Sequence, residues 1–524
     1  MEENKMSRGK EILAILLLTM VIGTGTLAWI VWSSKDNTKM NVTIGDLADV
    51  SFKTGNDINI SNLSPSFYYD DGALTEFSIR KKKGLTTELN TNIYLDITSI
   101  SDELKNDNFK YVLLSSSDGN TYNEVISSSF KDASVGKLSI VTDNPLTDGK
   151  TYYKFYIWID GNNENNETMQ GKSLKGTLNV DVSTPPVNAV NLVEGLDKGE
   201  TGDSGSGVYK VTHSAIASGS SATGSEIPAS TDYRYYGPSP NNYICLDMEG
   251  QSTCPDKHLY RIIGSIYEEK ENTNRIKVIK ATPLTDGTTK GFSWDYKVNN
   301  GSGSYDNIWA TITSGNYSNS LTSGGQLMKL LNSGAWWNGI SANYYVRYNE
   351  DTKAITVNFT NYKLSDKAKS YITTSRYYLG GYYDNPPLTN EMYGYERGTL
   401  RYNMDRPLYW EGMVGLMYPS DYGYAAGTSC VTGTVLYKYE GECMNKDWLY
   451  ISNTIQYTIQ WLMSPYSGNS SYVFRVHWSG IADGAIRGSI AFTYAVSPVF
   501  YLTSTTSIDG GDGSLNNPYL LSVQ

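Results

Sequence analysis

The stretch YICLDMEGQSTCPDKHLYRIIG, Tyr243–Gly264, holds two of the four cysteines of the chain. Cys245 and Cys254 enclose a hydrophilic segment that leads into the aliphatic run Leu259–Gly264, which has the residue types of a core strand. Such a cysteine pair can bind a metal, carry out redox chemistry or close a loop. The choice depends on the compartment, because disulfides persist in oxidising surroundings and are rare in the cytosol.

The N-terminus indicates the compartment. Residues 12–32, ILAILLLTMVIGTGTLAWIVW, carry no charge and, at about 1.5 Å per residue, are long enough to cross a hydrocarbon core about 30 Å thick. Basic residues precede them, so we expect the rest of the chain to lie outside the cytoplasm. Residues 1–35 are predicted to be either a signal peptide cleaved near Ala28 or a transmembrane helix that anchors the protein at the cell surface.

The composition predicts a mainly β protein. The chain has 43 Tyr, 49 Gly and a formal net charge of −11, and Tyr favours strands whereas Gly favours turns. The acidic balance argues against nucleic acid as a partner, because phosphates require clustered Lys and Arg. A length of 524 residues is typical of two or three domains.

Residues 36–184 are predicted to form an antiparallel β-sandwich. Apolar residues alternate with polar ones in NIYLDIT, YKFYIWID and GTLNVDV, which begin at Asn92, Tyr153 and Gly176. A period of two with polar residues between is typical of half-buried strands, and several such strands in this length favour a sandwich.

This region resembles the TasA/camelysin family of secreted, fibre-forming biofilm proteins. The resemblance rests on GTGTLAW at 23–29, INISNLSPSF at 58–67 and the segment Tyr153–Val182. It implies a β-sandwich and self-assembly through that sandwich. The chain has no His-Glu-x-x-His motif, so we do not expect the protease activity ascribed to some relatives.

A Gly/Ser-rich linker is predicted over residues 185–230, which begin with Pro185-Pro186 and contain DKGETGDSGSG and ASGSSATGSE. Sequence of this kind behaves as a flexible spacer. We expect a short strand, GVYKVTH at Gly207–His213, to interrupt the linker. Residues 231–524 mix short strands with helical stretches such as GQLMKLLNSG, and this mixture predicts an α+β domain.

The C-terminal region resembles a family of surface proteins of unknown function from gut Firmicutes. The matching residues include TDYRYYGPSPNNYICL from Thr231, GLMYPSDYGYA from Gly415 and IDGGDGSLNNPYLL from Ile508. The resemblance implies a C-type-lectin-like domain, related to the fold of formylglycine-generating enzymes.

Outside the cytoplasm, the four cysteines are expected to form two local disulfides, Cys245–Cys254 and Cys430–Cys443. Zinc would require paired C-x-x-C spacings, which the sequence lacks, or nearby histidines. His258 lies close to Cys254, but no second histidine accompanies it. The alternative is a copper- or cysteine-dependent oxidase site at Cys430 and Cys443.

Two further sets of residues are candidates for binding. Aromatic side chains flanked by glycines suggest exposed ligand-binding faces, because aromatic rings bury a large area at a low cost in rotamer entropy. Oxygen-bearing residues at alternate positions of one loop suggest either a Ca²⁺ site or a polar hairpin tip. The aromatic candidates are Trp336, Trp337, Tyr382 and Tyr383, and the calcium candidates are Asp160, Asn162 and Glu164.

The predicted function is non-enzymatic and requires no cofactor other than the possible Ca²⁺. We expect a membrane-tethered or secreted bacterial adhesion protein whose aromatic-rich C-terminal domain binds a surface glycan or a protein. A structural or accessory subunit of an extracellular biofilm fibre is the alternative hypothesis, and an oxidase is the third.

Overall fold

The computed structural model describes residues 40–44, 47–53, 55–61, 63–83, 88–162, 166–183, 185–295, 307–348, 351–451, 459–484 and 493–523. The hydrophobic segment 12–32 and Glu164 lie outside the described residues, so the predictions made for them stay predictions. None of the helices in the described ranges has the length and apolar character that a membrane crossing requires. The chain divides into two compact units, Met1–Pro185 and Pro186–Gln524.

The first unit contains two β-sheets with a shared apolar core. One sheet has the strand order β1-β2-β5-β10-β7-β8, with β4 also beside β10, and the other has the order β3-β11-β6-β9. The predicted β-rich class and this sandwich are therefore observed. The strands are β1 Met40–Ile44, β2 Ala48–Phe52, β3 Asp57–Ser61, β4 Pro65–Ser66, β5 Ala73–Lys81, β6 Leu89–Ile100, β7 Phe109–Ser116, β8 Asn123–Ser129, β9 Gly136–Leu146, β10 Lys150–Asp160 and β11 Ser173–Ser183.

Strand β10 explains how the sequence forms this sandwich. Phe155 and Ile157 lie in the shared core, as the period of two predicts. Tyr156 and Trp158 point to the opposite face of the sheet, where they form a second small cluster with Val112 and Leu114 of β7. Both faces of β10 are thus covered, which accounts for the nearly continuous apolar character of its second half.

The second unit is α+β and is built around a ten-stranded sheet of order β12-β30-β31-β15-β16-β17-β29-β22, with β14 beside β16 and β13 beside β14. Its strands are β12 Val187–Asn188, β13 Gly207–His213, β14 Ser230–Tyr236, β15 Tyr243–Cys245, β16 Leu259–Glu268, β17 Thr273–Lys280, β18 Phe292–Ser293, β19 Tyr317–Ser318, β20 Ser341–Tyr348, β21 Asp351–Asn358, β22 Ile372–Thr373, β23 Ser375–Tyr378, β24 Tyr409–Gly412, β25 Gln460–Pro465, β26 Val473–Val476, β27 Ala482–Asp483, β28 Thr493–Tyr494, β29 Val499–Leu502, β30 Thr506–Gly510 and β31 Tyr519–Val523.

The helices of this unit are short. They are α1 Ala189–Gly195, α2 Gln326–Asn332, α3 Ala335–Asn338, α4 Asp366–Ser370, α5 Thr389–Glu396, α6 Pro419–Ala425, α7 Thr428–Gly433 and α8 Glu442–Lys446. Two of them begin at side-chain caps: the Asn188 side chain accepts hydrogen bonds from the first turn of α1, and the Ser365 side chain accepts one from Ala368 N in α4.

The prediction of a flexible linker over 185–230 is wrong. Residues 187–188 pair with β30, α1 follows them, and β13 pairs along its full length with β14. The physical reason is that Val193 of α1 and Val208 of β13 are buried in the core of the second unit. The Gly/Ser-rich stretches are therefore turns between packed segments.

Both predicted disulfides are present. Cys245 is bonded to Cys254 and Cys430 to Cys443, with Cα–Cα distances of 5.9 and 5.7 Å. The stretch Tyr243–Gly264 consists of β15, a disulfide-closed loop and the start of β16, and β15 pairs with β16 directly. The loop is thus an excursion between two adjacent strands of the main sheet.

A buried charge cluster joins the sheet of the second unit to helix α6. Arg234 on β14 donates from Nη2 to Asp232 Oδ2 at 2.7 Å and from Nη1 to Asp421 Oδ1 at 2.9 Å. Lys277 on β17 donates from Nζ to Asp421 Oδ2 at 2.5 Å. Burial alone would raise the pKa of both aspartates. Arg234 and His213 outweigh it for Asp232, and Lys277 and Arg234 outweigh it for Asp421, so each pKa lies below its usual value.

We expect Arg234→Met to lower the free energy of unfolding of the second unit by about 3–5 kcal/mol, because it leaves two buried carboxylates without their guanidinium. Urea unfolding followed by tryptophan fluorescence measures this loss. Lys210→Met is the matched control, since Lys210 lies on the neighbouring strand β13 with its side chain exposed. Equal losses for the two variants would contradict the assignment.

Candidate functional site

Trp336, one of the predicted ligand-binding residues, is buried with 1% of its surface exposed. The prediction that it offers a face to a ligand is wrong. Its flanking glycines serve packing: a Cβ on Gly334 would lie 2.7 Å from Lys329 O, and Gly339 ends helix α3 with φ of 64°. Trp337 is half-buried, and Lys369 Nζ lies 5.0 Å from the centroid of its ring.

Tyr382 and Tyr383, the other aromatic candidates, lie on a tightly held loop. A Cβ on Gly381 would lie 1.9 Å from Pro465 O, so only glycine allows this approach of the loop to β25. The Tyr382 ring packs against Tyr383, with centroids 4.7 Å apart, and against Tyr395, at 4.4 Å. Tyr383 remains 57% exposed.

A second segment of the same unit lies beside this loop. Gly381 N donates a hydrogen bond of 3.0 Å to Leu400 O, and Tyr402 lines a small cavity together with Gly381. Four large apolar side chains are exposed on these two segments: Tyr383, Leu400, Tyr402 and Met404. We call this surface the tyrosine shelf.

Arg401 fixes the backbone of the tyrosine shelf. Its guanidinium donates from Nη1 to Arg406 O at 2.8 Å and to Asn316 Oδ1 at 2.5 Å. The segment that carries Tyr402 and Met404 is therefore held by side-chain hydrogen bonds, although it lies outside the regular strands and helices. The sequence reasoning recognised Tyr382 and Tyr383 but missed this segment, because nothing local indicates that it meets Gly381.

The cysteines provide no reactive thiol, since all four are in disulfides. Close to the first disulfide, Asp247, Glu249 and His258 offer ligand atoms within 4.8 Å of one another. Lysines already neutralise this trio: Lys257 Nζ lies 2.8 Å from Glu249 Oε1, and Lys367 Nζ lies 3.9 Å from Asp247 Oδ1. In this structure the three side chains therefore form an ion-paired cluster beside the disulfide-closed loop.

The calcium candidates Asp160 and Asn162 are engaged with each other and with a lysine. Asp160 Oδ1 accepts hydrogen bonds from the backbone and side-chain nitrogens of Asn162, and Oδ2 pairs with Lys110 Nζ at 2.6 Å. Burial would raise the pKa of Asp160, but the Lys110 ammonium and the Asn162 donors outweigh it and lower the pKa. These contacts are those of a polar hairpin tip, in which an ammonium takes the place of a metal ion.

Buried glutamates line a small cavity in the second unit. Glu269 faces Arg397, whose Nε is 3.7 Å from Glu269 Oε1, and burial raises the pKa of Glu269 to about 7. A carboxyl group with such a pKa is typical of general acids and bases, and also of structural ion-pair networks. The residues that line this cavity are glutamates, arginines and tyrosines, and the arginines are ion-paired, so we assign Glu269 to a structural network.

The raised pKa of Glu269 predicts a pH-dependent stability. The folded state binds more protons than the unfolded state between the model-peptide value of 4.5 and about 7, so the free energy of unfolding should fall as pH rises through this window. The slope is at most about 1.4 kcal/mol per pH unit for one proton. Urea unfolding at pH 5, 6, 7 and 8 should show a shallower decline for Glu269→Gln than for wild type.

Glu271→Gln is the matched control for this experiment, because Glu271 is near in sequence, exposed and only loosely paired with Arg275, at 3.9 Å. If the two variants show the same pH dependence, Glu269 does not titrate in the folded protein as described.

Comparisons with known proteins identify no family for this chain. No family model and no curated protein matches it, so the two family resemblances and the C-type-lectin-like fold stay predictions. Among solved structures, the chain is similar to a mutant of Xylanase10C from Cellvibrio japonicus in complex with xylopentaose, at 9% identity, with 32% of this chain and 31% of that chain covered and a TM-score of 0.18. A likeness at that score carries no argument about fold or activity.

Proposed function

We propose that this protein is an extracytoplasmic binding protein that recognises a protein partner through the tyrosine shelf. The proposal rests on four large apolar side chains that are exposed on two neighbouring segments held in place by hydrogen bonds. These side chains are Tyr383, Leu400, Tyr402 and Met404, and Met404 is 73% exposed. Aromatic residues and Met are enriched at protein–protein interfaces, and contiguous apolar patches on a soluble surface commonly mark interaction sites.

The disulfides support the extracytoplasmic part of the proposal. Two disulfides in one chain, with no free cysteine, are typical of an oxidising compartment. The uncharged segment 12–32 supplies the export signal or the anchor on the cell surface.

The shape of the shelf favours a protein over a small molecule. The neighbouring cavity has room for only about one water molecule, whereas the four apolar side chains are open to solvent over 36% of the surface of Leu400 and up to 73% of that of Met404. Because the backbone beneath them is held by Arg401 and by the close contact at Gly381, docking a partner orders few additional groups, and the entropy cost of binding is small.

The first test replaces Tyr402 of the full-length chain with a photo-crosslinking amino acid. The variant is produced in the cells that naturally express the protein, and irradiation should give a discrete protein adduct. Excess wild-type protein should compete this adduct away. With the captured partner purified, Tyr402→Ala and Met404→Ala should each weaken binding by about tenfold, the loss expected of a central aromatic or apolar anchor.

Trp478 provides the matched control position, because it is also an exposed aromatic residue of the second unit, at 53% exposure, and is not part of the shelf. A crosslinker at Trp478 should not capture the same adduct. An identical adduct from both positions, or a partner whose affinity is unchanged by Tyr402→Ala, would refute the tyrosine shelf as the binding surface.

A further inference from the structure

A short loop of the first unit, Phe67–Gly72, projects from the outer face of its sheet with a fixed shape. It links β4 to β5, which both pair with β10. The Ser66 hydroxyl accepts a hydrogen bond of 3.1 Å from Tyr68 N, and a Cβ on Gly72 would lie 2.4 Å from Ile157 O. The glycine therefore lets the chain return directly against β10. We call this segment the aromatic loop.

The aromatic loop exposes three consecutive rings. Phe67 is 68% exposed, Tyr68 70% and Tyr69 41%, an arrangement that a soluble surface rarely carries without a binding role. The Tyr69 ring packs on Tyr156, with centroids 5.2 Å apart, and on Trp158, at 6.1 Å. The Tyr69 end of the loop is thus packed against the sheet, while the rings of Phe67 and Tyr68 remain exposed to solvent.

Polar groups surround these rings. A cleft of about 710 Å³, part of it open solvent, is lined by the three aromatic residues of the loop and by Asp70, Trp158, Asp160 and Asn162. Asp70 and Asn162 are exposed, and Asp160 is ion-paired with Lys110 at 2.6 Å. The cleft thus offers carboxylate acceptors and an amide that both donates and accepts, beside the aromatic faces.

This chemistry restricts the ligand. The exposed carboxylate of Asp70 repels phosphate, sulfate and uronate groups, so it disfavours anionic polymers and anionic lipid surfaces. Asp160 adds little net charge, because Lys110 neutralises it. An ammonium ligand would gain only about two- to fivefold in affinity from an exposed ring face, and Phe67 and Tyr68 are both exposed. A pyranose ring has an apolar C–H face for an aromatic platform and a rim of hydroxyl groups for carboxylates and amides, which matches what the cleft presents.

We propose that the aromatic loop and the end of β10 form a carbohydrate-binding cleft for uncharged pyranose sugars. Tyr68 and Phe67 contact the apolar face of the sugar ring, and Asp70 and Asn162 bind its hydroxyl groups. This site lies in the first unit and is independent of the tyrosine shelf, so it adds a second ligand class to the proposed function.

The test is binding of the full-length chain to an array of neutral oligosaccharides: glucose, mannose, galactose, xylose and N-acetylglucosamine oligomers. The array also carries uronate-containing and sulfated glycans, and phosphatidylcholine and phosphatidylglycerol vesicles are measured in parallel. We expect binding to at least one neutral series. Tyr68→Ala should weaken it about tenfold or more, and Phe67→Ala with Tyr68→Ala should abolish it. Because both side chains are about 70% exposed, neither change disturbs the core.

Val135→Ala is the matched control, since Val135 is a 67% exposed apolar residue of the same unit outside the cleft, and it should leave sugar binding unchanged. Tyr402→Ala in the tyrosine shelf should also leave it unchanged, which separates this proposal from the proposed protein partner. The carbohydrate assignment is overturned if no neutral sugar binds at millimolar concentration, if binding survives in the double variant, or if the loop supports only vesicle or anionic-glycan binding.

Discussion

The guanidinium of Arg234 lies between the carboxylates of Asp232 and Asp421, all three buried, and the second unit is arranged around this contact. Removing each charge from water costs several kcal/mol of folding free energy, and only well-placed opposite charges and hydrogen bonds offset that cost. The strands and the helix that carry these charged side chains must therefore pack in one specific arrangement. Lys277 adds a fourth charge from β17. Strands β14 and β17 and helix α6 are thereby fixed relative to one another by hydrogen-bonded charge as well as by apolar packing.

The same constraint gives a physical reason for many of the tyrosines. Buried cations lie over ring faces: Arg234 is 4.6 Å from the centroid of Tyr424, Lys277 is 4.6 Å from that of Tyr418, and Arg397 is 3.5 Å from that of Tyr393. A ring face compensates a cation where water cannot reach. A high tyrosine content is therefore as much the signature of this polar core as of a binding surface.

The predictions that succeeded rest on short-range patterns. Period-two alternation identified the core-facing residues of β10, and the two disulfides join cysteines 9 and 13 residues apart. The buried charge cluster could not be predicted in this way, because Arg234 and Asp421 are 187 residues apart. The glycines on either side of Trp336 show the same limit. The stretch GAWWNG, 334–339, fits an exposed tip and a close-packed helix end equally well until the neighbouring backbone is known.

The aromatic loop did leave a sequence signal, and it follows from strand geometry. Successive side chains of a strand point to opposite faces, so Phe67, Tyr68 and Tyr69 cannot all reach one core, and the following Asp-Asp-Gly is a turn sequence. Three rings in a row before such a turn predict a projection from the sheet. The tyrosine shelf arises differently, from two segments joined by the contacts of Gly381. In both surfaces, exposed rings are carried by backbone that close contacts hold in place. Because this backbone is already ordered, binding a partner there loses little conformational entropy.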